Sequence, residues 1–235
     1  MNSARIAVII PAFNEEGSIG QVLDDISSDI VEEVIVVNNA SSDRTAEEAE
    51  KLNATVLTET RRGYGSACLK GLEYAMPKGF DVIVFLDADY SDHPEEMPSL
   101  LRPILEEKYD LVIGSRSIGQ REKGAMPPQA IFGNWLATLL IRLFWGYRFT
   151  DLGPFRAVRT EALKQIGMED TNYGWTVEMQ IKAARLGLKA TEVPVSYRKR
   201  IGVSKISGTI PGSLKAGWKI LYTIFRYGFT RERPK

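Results

Sequence analysis

Apolar residues in this 235-residue chain first gather in short unbroken runs: Ile6 to Ile10, Val34 to Val37, Val82 to Leu86, Leu111 to Ile113 and the shorter Thr55 to Leu57. A continuous run, rather than an alternating one, is the pattern of a strand covered on both faces of a parallel sheet. Between these runs the apolar positions recur every three or four residues, as in Ile19, Val22, Leu23 and Ile26, or Ala67, Leu69, Leu72 and Ala75. That spacing predicts helices. Ser41-Ser42-Asp43 offers side-chain oxygens to the free N–H groups of a helix from Arg44 to about Leu52, and another helix is expected near Glu95 to Lys108. Strand and helix alternate as far as Ile113. The first half is therefore expected to be a doubly wound, mostly parallel α/β sheet flanked by helices.

After Arg116 the pattern changes. Residues 117–129 are rich in glycine and charge and hold two prolines, so a mobile loop is expected. Residues 130–147 are apolar nearly all round, which fits a core helix first and one lying against lipid second. Asp151 to Arg156 reads as a turn, Thr160 to Ile166 as a short helix, and Thr176 to Leu186 as a helix with Glu178 in its first turn. The helix dipole alone would account for a carboxylate there. Val193-Pro194-Val195 closes a last strand, and Arg198 to Lys205 forms a basic loop without an evident acidic partner in sequence, expected to close on phosphates. Finally, Ser213 to Tyr227 predicts an amphipathic helix with Lys215, Lys219 and Arg226 on one side and Leu214, Trp218, Leu221 and Phe225 on another. An interfacial anchor and a helix packed on the sheet both fit it.

Candidate chemistry sits at the end of the central run. Val82 to Leu86 is followed by Asp87-Ala88-Asp89, and in open α/β sheets ligands bind outside the carboxyl ends of the strands. Two carboxylates delivered there suit Mg²⁺ or Mn²⁺ holding a phosphorylated substrate. An ordinary polar turn is the competing reading. Arg61-Arg62-Gly63-Tyr64-Gly65-Ser66 opens a helix and could bring backbone N–H groups to a phosphate, or could simply be a tight turn with a basic rim.

Composition narrows the options. Lysine plus arginine and aspartate plus glutamate are each 30, which gives no case for nucleic-acid binding. From residue 195 onward ten basic residues face one acidic residue, a local +9 that calls for a phosphate ligand or an anionic membrane surface. Cys68 is the only cysteine and His93 the only histidine, so any metal must be held by oxygen. The apolar part of the amino terminus is too short for a signal peptide, and the longest charge-free apolar stretch, Ala130 to Ile141, is too short to span a bilayer. A cytoplasmic location is expected, with peripheral attachment to the cytoplasmic face of a membrane. At this length one domain is expected, residues 1–235.

Three motifs in order, Val8-Ile9-Ile10-Pro11-Ala12-Phe13-Asn14-Glu15, Val37-Asn38-Asn39-Ala40-Ser41-Ser42-Asp43-Arg44-Thr45 and Asp87-Ala88-Asp89, closely resemble the inverting family 2 nucleotide-sugar glycosyltransferases of GT-A fold. Gly114-Ser115-Arg116, Gly153-Pro154-Phe155-Arg156-Ala157 and Arg200-Ile201-Gly202-Val203-Ser204-Lys205 resemble the dolichyl- or polyprenyl-phosphate mannose and glucose synthases within that family. The resemblance implies that residues 1–116 bind the nucleotide sugar, 117–208 form the acceptor half and basic loop, and 209–235 the amphipathic tail helix. It implies that Pro11, Phe13, Glu15, Asn38 and Asn39 line the nucleoside pocket. Asp87 would face the ribose, Ala88 would belong to the nucleotide-sugar site, Asp87 and Asp89 would lie at a Mg²⁺ or Mn²⁺ ion, and Ser91 near it. Arg116, Arg200, Ser204 and Lys205 would neutralise the leaving diphosphate, and Glu178 would lie near the acceptor. Many relatives carry Asp-Asp where this chain has Asn38-Asn39, which leaves the base, uracil or guanine, open.

The implied reaction moves a hexose from GDP-mannose or UDP-glucose to polyprenyl phosphate. Transfer to a soluble hydroxyl is the alternative, with Glu178 or Asp151 as base. A non-catalytic or nucleotidyl-transferring relative fits less well, because Pro11-Ala12-Phe13-Asn14 stands where such a transferase has a phosphate loop, and Asp-Ala-Asp is kept. The sequence leaves the oligomeric state open.

Overall fold

The computed structural model describes residues 4–202 and 210–230, the side chains of Ile210 and Pro211 excepted. Among the described residues seven strands form one sheet: β1 (Ile6–Ala12), β2 (Glu33–Asn38), β3 (Thr55–Thr58), β4 (Val82–Phe85), β5 (Leu111–Ser115), β6 (Arg156–Arg159) and β7 (Ala190–Pro194). Their order is β3-β2-β1-β4-β6-β5-β7. Strand β6 runs against both neighbours, and every other pairing is parallel. The expected mostly parallel, helix-flanked sheet is thus present, with one reversed strand inside it.

Burial on both faces explains the unbroken apolar runs. Along β1, Ile6, Val8 and Ile10 face the cluster that takes in α1 (Ile19–Asp24), α2 (Thr45–Lys51) and α4 (Met97–Glu107), while Ala7 and Ile9 face the other. The second cluster takes in α3 (Tyr64–Ala75), α6 (Thr160–Ile166) and α7 (Trp175–Leu186). Strand β4 divides in the same way, with Ile83 and Phe85 on one side and Val82 and Val84 on the other. Polar side chains find no solvent on either face, so the strand sequence contains none.

The site follows from topology. The chain lays down β1, β2 and β3 in one direction and then returns to place β4 on the other side of β1. This reversal leaves a crevice at the carboxyl ends of β1 and β4, the place where α/β sheets bind ligands.

Strand β6 is not among the strands expected from the sequence, which place a turn over Asp151 to Arg156 and a helix from Thr160. It escapes recognition because two arginines bracket a two-residue apolar core, Ala157-Val158. Arg156 is nonetheless fully buried, and its guanidinium donates to the carbonyl oxygens of Gly153, Leu152 and Thr176. Burial lowers its pKa to about 10. Those bonds tie the 151–155 turn to the start of α7.

The glycines of the 61–66 turn also have a structural cause. A Cβ on Gly63 would lie 2.2 Å from the Thr171 carbonyl oxygen, and one on Gly65 would lie 2.0 Å from that of Asp170. Ser66 N donates to Thr171 O at 2.9 Å. Glycine is required here so that residues 170–172 can pack on the turn, whatever the turn binds.

Helix α5 (Pro128–Trp145) starts at the second of two adjacent prolines, whose missing N–H costs nothing at a helix start. The loop before it meets the segment after β7: Glu122 N donates to Tyr197 O at 2.8 Å, and Arg121 forms a bridge with Tyr197. Only Ala137, Thr138 and Ile141 of α5 are buried, so the expected core helix is instead a partly exposed one. Helix α8 (Ile210–Phe229) packs against it, with Phe144 edge-on to Phe225 and Phe229 at 5.9 and 5.8 Å. Lys219 of α8 pairs with Asp170 at 2.8 Å.

Candidate active site

The crevice at the ends of β1 and β4 is a cavity of about 340 Å³. From β1 and the residues after it come Pro11, Phe13 and Glu15, and from the end of β4 come Asp87, Ala88 and Asp89. Asn39, Arg62, Gly63 and Tyr64 close one side, Asn172 and Tyr173 another, and Arg200 reaches in from the basic loop. Eight residues expected from sequence, Pro11, Phe13, Glu15, Asn39, Asp87, Ala88, Asp89 and Arg200, therefore meet in one place.

Each acidic group is held by specific partners. Asp89 Oδ1 accepts from Ser91 N at 2.9 Å and from the Ser91 hydroxyl at 2.5 Å, and Arg200 Nη1 lies 2.9 Å from Oδ2. Asp87 Oδ1 accepts from the Tyr64 hydroxyl at 3.0 Å. Burial, and then the neighbouring Asp89 charge, raise the Asp87 pKa to about 7. Two neighbouring carboxylates, one of them buried away from solvent, disfavour each other's ionisation. Glu15 Oε1 accepts from Arg200 Nη2 at 2.9 Å, and Oε2 accepts from Ser18 Oγ at 3.1 Å.

The donor set is that of a metal shared with its substrate. Among the described residues no group of three His, Cys, Asp or Glu side chains is placed to hold a metal alone. Mg²⁺ and Mn²⁺ commonly take one or two carboxylates and complete their shell with phosphate oxygens and water. Asp89 and Asp87 fit that requirement, and the cation already drawn to Asp89 Oδ2 marks where positive charge is accommodated.

Other expected residues stand elsewhere. Asn38 Oδ1 accepts from Ser41 N at 3.0 Å and is not part of the cavity wall. The Asn39 amide donates to the carbonyls of Glu59 and Arg61 and accepts from Gly63 N, so it clamps the loop after β3. Arg116 makes a two-point pair with Asp151, at 2.8 and 2.7 Å, outside the cavity lining. Glu178 is also outside it. Buried in α7, it pairs with Lys182 at 2.9 Å and accepts from Tyr227 of α8 and from the backbone of Asp170. Ser204 and Lys205 lie outside the described residues.

The basic loop has acidic partners that only the fold brings near. Arg198 approaches Asp25 at 3.5 Å and stacks on Tyr90, Lys199 pairs with Glu122 at 3.2 Å, and Arg200 bridges Glu15 and Asp89. The largest separation in sequence is 185 residues, between Glu15 and Arg200, so no local reading finds it. Tyr64, Arg62, Asn172 and Tyr173 were not foreseen as site residues. A signal existed for the first two, in the glycine-rich turn. Arg62 lies over the Phe13 ring at 4.4 Å, at the mouth of the cavity.

Asp92 is buried beside this cluster, and neither carboxyl oxygen has a hydrogen-bond partner. Burial, and then Asp87, raise its pKa well above the usual range, against the pull of Arg116. Below about pH 4 both folded and unfolded chains keep this proton, so nothing is lost. As pH rises the unfolded chain ionises first, and stability falls until the folded pKa is passed. Asp92→Asn is expected to raise the melting temperature by a few degrees at pH 8, on the scale of relieving a buried polar group, and to leave it nearly unchanged at pH 4. Equal shifts at both pH values in thermal melts would contradict this account.

A family model, glycosyl transferase family 2, matches residues 7–167, which include all but the first residue of β1, the Asp-Ala-Asp segment and the reversed strand β6. The chain belongs to glycosyltransferase family 2. It is a hexosyltransferase of that family, and it resembles polyprenyl-phosphate mannose synthases within it. It is 35% identical over 220 residues to an undecaprenyl-phosphate mannosyltransferase of Micrococcus luteus, covering 88% of this chain and 90% of that protein. It is 29% identical over 218 residues to a polyprenol monophosphomannose synthase of Mycolicibacterium smegmatis, covering 87% and 82%. In fold it is similar to glucosyl-3-phosphoglycerate synthase from Mycobacterium tuberculosis, crystallised with Mn²⁺, uridine diphosphate and glucosyl-3-phosphoglycerate. That likeness has a TM-score of 0.77 at 24% identity and covers 97% of this chain and 81% of the other. The GT-A architecture expected from the sequence is the one observed.

Proposed function

We propose that this family 2 transferase moves a hexose from a nucleotide diphosphate sugar, GDP-mannose or UDP-glucose, to a polyprenyl phosphate at a membrane surface, with inversion at the anomeric carbon. The observation that carries the acceptor is the uncovered apolar surface of α5 and α8. Phe132, Trp135, Leu143, Leu214, Trp218 and Phe229 are 55–78% exposed. Monomeric soluble proteins rarely leave such side chains together in water. Exposed Lys215 and Arg226 on α8 add positive charge suited to an anionic surface. Among the described residues no helix is long and apolar enough to cross a membrane, and the attachment proposed is peripheral, on the cytoplasmic face. The names of the bacterial relatives point to the same acceptor class.

The chemistry agrees with that acceptor. A phosphate oxygen attacks the anomeric carbon, the bond from that carbon to the diphosphate breaks, and its electron pair leaves with the nucleoside diphosphate. Positive charge builds on the sugar and negative charge on the leaving group. Arg200, with Ser204 and Lys205, would stabilise the latter. Asp89 and Asp87 would hold a divalent ion, which would supply Lewis-acid neutralisation of charge on the leaving group. A phosphate nucleophile is already anionic and needs no general base. This fits a site in which Glu178 and Asp151, the two candidate bases, are committed to Lys182, Tyr227 and Arg116. Pro11 and Phe13 would pack against the nucleoside, with Glu15 and Asn39 at its edge.

A panel of GDP- and UDP-hexoses with Mn²⁺, each offered polyprenyl phosphate in anionic vesicles or a soluble hydroxyl acceptor, tests the reading through release of nucleoside diphosphate. Release is expected only with the lipid phosphate and is expected to stop in EDTA. Turnover that persists in EDTA, or that needs only the soluble acceptor, would overturn the assignment.

A further inference from the structure

The carboxylate cluster already contains a cation, and it belongs to the chain. Arg200 reaches Asp89 Oδ2 through Nη1 and Glu15 Oε1 through Nη2, each at 2.9 Å. One guanidinium thus joins the residues that follow β1 to those that follow β4, across the mouth of the crevice. Its Nε–H is buried without an acceptor. A buried donor left unmatched costs about 1–3 kcal/mol, so this resting position does not satisfy the side chain fully. A diphosphate presents more oxygens than two separated carboxylates, and a guanidinium matches them in pairs.

The backbone that delivers Arg200 is fixed. Tyr197 forms a bridge with Asp92, Arg198 N donates to Ser91 O at 2.9 Å, and Ile201 N donates to Asp89 O at 2.9 Å. The strap is laced to the same segment that carries Asp89. Gly202, just after the lacing, is in the left-handed region at φ +77°. Any exchange of partners at Arg200 is therefore a side-chain movement, over a few ångströms, and does not require the strap to lift.

We propose that Arg200 is a resident counter-cation. It holds Asp89 and Glu15 when no nucleotide sugar is bound, competes with a divalent ion for Asp89, and transfers to the diphosphate when ion and nucleotide arrive together. The inference rests on the reading of Asp89 as a metal ligand. Two consequences follow from linkage. The ion alone binds weakly because it must displace the guanidinium, and nucleotide strengthens ion binding by giving the guanidinium another partner.

The test is a titration of the full chain with Mn²⁺, following free Mn²⁺ by electron paramagnetic resonance, with and without uridine or guanosine diphosphate. Without nucleotide, Arg200→Gln is expected to bind Mn²⁺ roughly tenfold tighter than wild type, the scale of one close charge pair. Arg200→Lys, which keeps the charge but reaches one carboxylate, is expected to fall between them and guards against misfolding of the glutamine variant. Nucleotide is expected to tighten Mn²⁺ binding in wild type more than in Arg200→Gln. Equal or weaker Mn²⁺ binding by both variants without nucleotide would overturn the proposal. The double variant Arg200→Gln, Asp89→Ala separates this outcome from failure of the underlying reading. Mn²⁺ held as tightly in the double variant as in Arg200→Gln means that Asp89 is not the ligand at all.

Discussion

Asp89→Ala is expected to lower turnover about 10³-fold or more while leaving the fold intact. The expectation rests on geometry: Asp89 Oδ1 is fixed by Ser91, and Oδ2 is the atom presented to positive charge in the crevice. Removing it takes away the main protein ligand proposed for the ion, and loss of a single preorganised charge-stabilising group commonly costs 10²–10³ in rate, with the ion's own contribution added. The fold should tolerate the change because Arg200 keeps Glu15 as a partner. Nucleoside diphosphate release at saturating Mn²⁺ checks the rate, and a thermal melt checks the fold. Turnover within tenfold of wild type would remove Asp89 from the chemistry.

A second large effect is expected from the uncovered apolar surface. Trp135→Ser with Trp218→Ser should weaken binding to anionic vesicles by about 10²-fold, since burying a large apolar side chain is worth roughly 1.5–3 kcal/mol and an interface buries each only in part. Both rings are more than half exposed, at 55% and 72%, so the folded protein loses little by their removal. Transfer to a lipid acceptor should fall in parallel, while nucleotide binding and the melting temperature stay near wild type. Vesicle flotation at low and high salt measures the first effect, and isothermal titration with nucleotide measures the second. Unchanged flotation, or a coupled collapse in stability, would mean that these side chains serve packing and not a membrane.

The parts of the structure that the sequence made legible share a physical cause. Strands β1 and β4 are buried on both faces, so their apolar runs are continuous, and the crevice between them follows from the order in which strands are laid down. Asp87 and Asp89 could be placed because they end such a strand. Strand β6 could not, since its fully buried Arg156 is satisfied by carbonyl oxygens of a turn and of α7, partners that no local pattern announces. The same holds for Arg200, whose carboxylates come from two other strand ends. Gly63 and Gly65 looked like phosphate-loop glycines and are explained by the backbone of residues 170 and 171. Glu178, expected near an acceptor, is paired with Lys182 and with Tyr227, 49 residues further along the chain. For α5 an all-round apolar composition suited a core, but only three of its side chains are buried.

The proposed nucleophile is a lipid phosphate. The most direct measurement supplies radiolabelled hexose on its nucleotide diphosphate to the wild-type protein with vesicles containing either polyprenyl phosphate or the matching polyprenol, and counts label extracted into organic solvent. The account predicts label in the lipid phase with polyprenyl phosphate and none with polyprenol, because the two candidate bases, Glu178 and Asp151, are paired with Lys182 and Arg116 outside the cavity lining. Label carried by the alcohol, or none carried by the phosphate while a soluble hydroxyl acceptor is glycosylated, would contradict it.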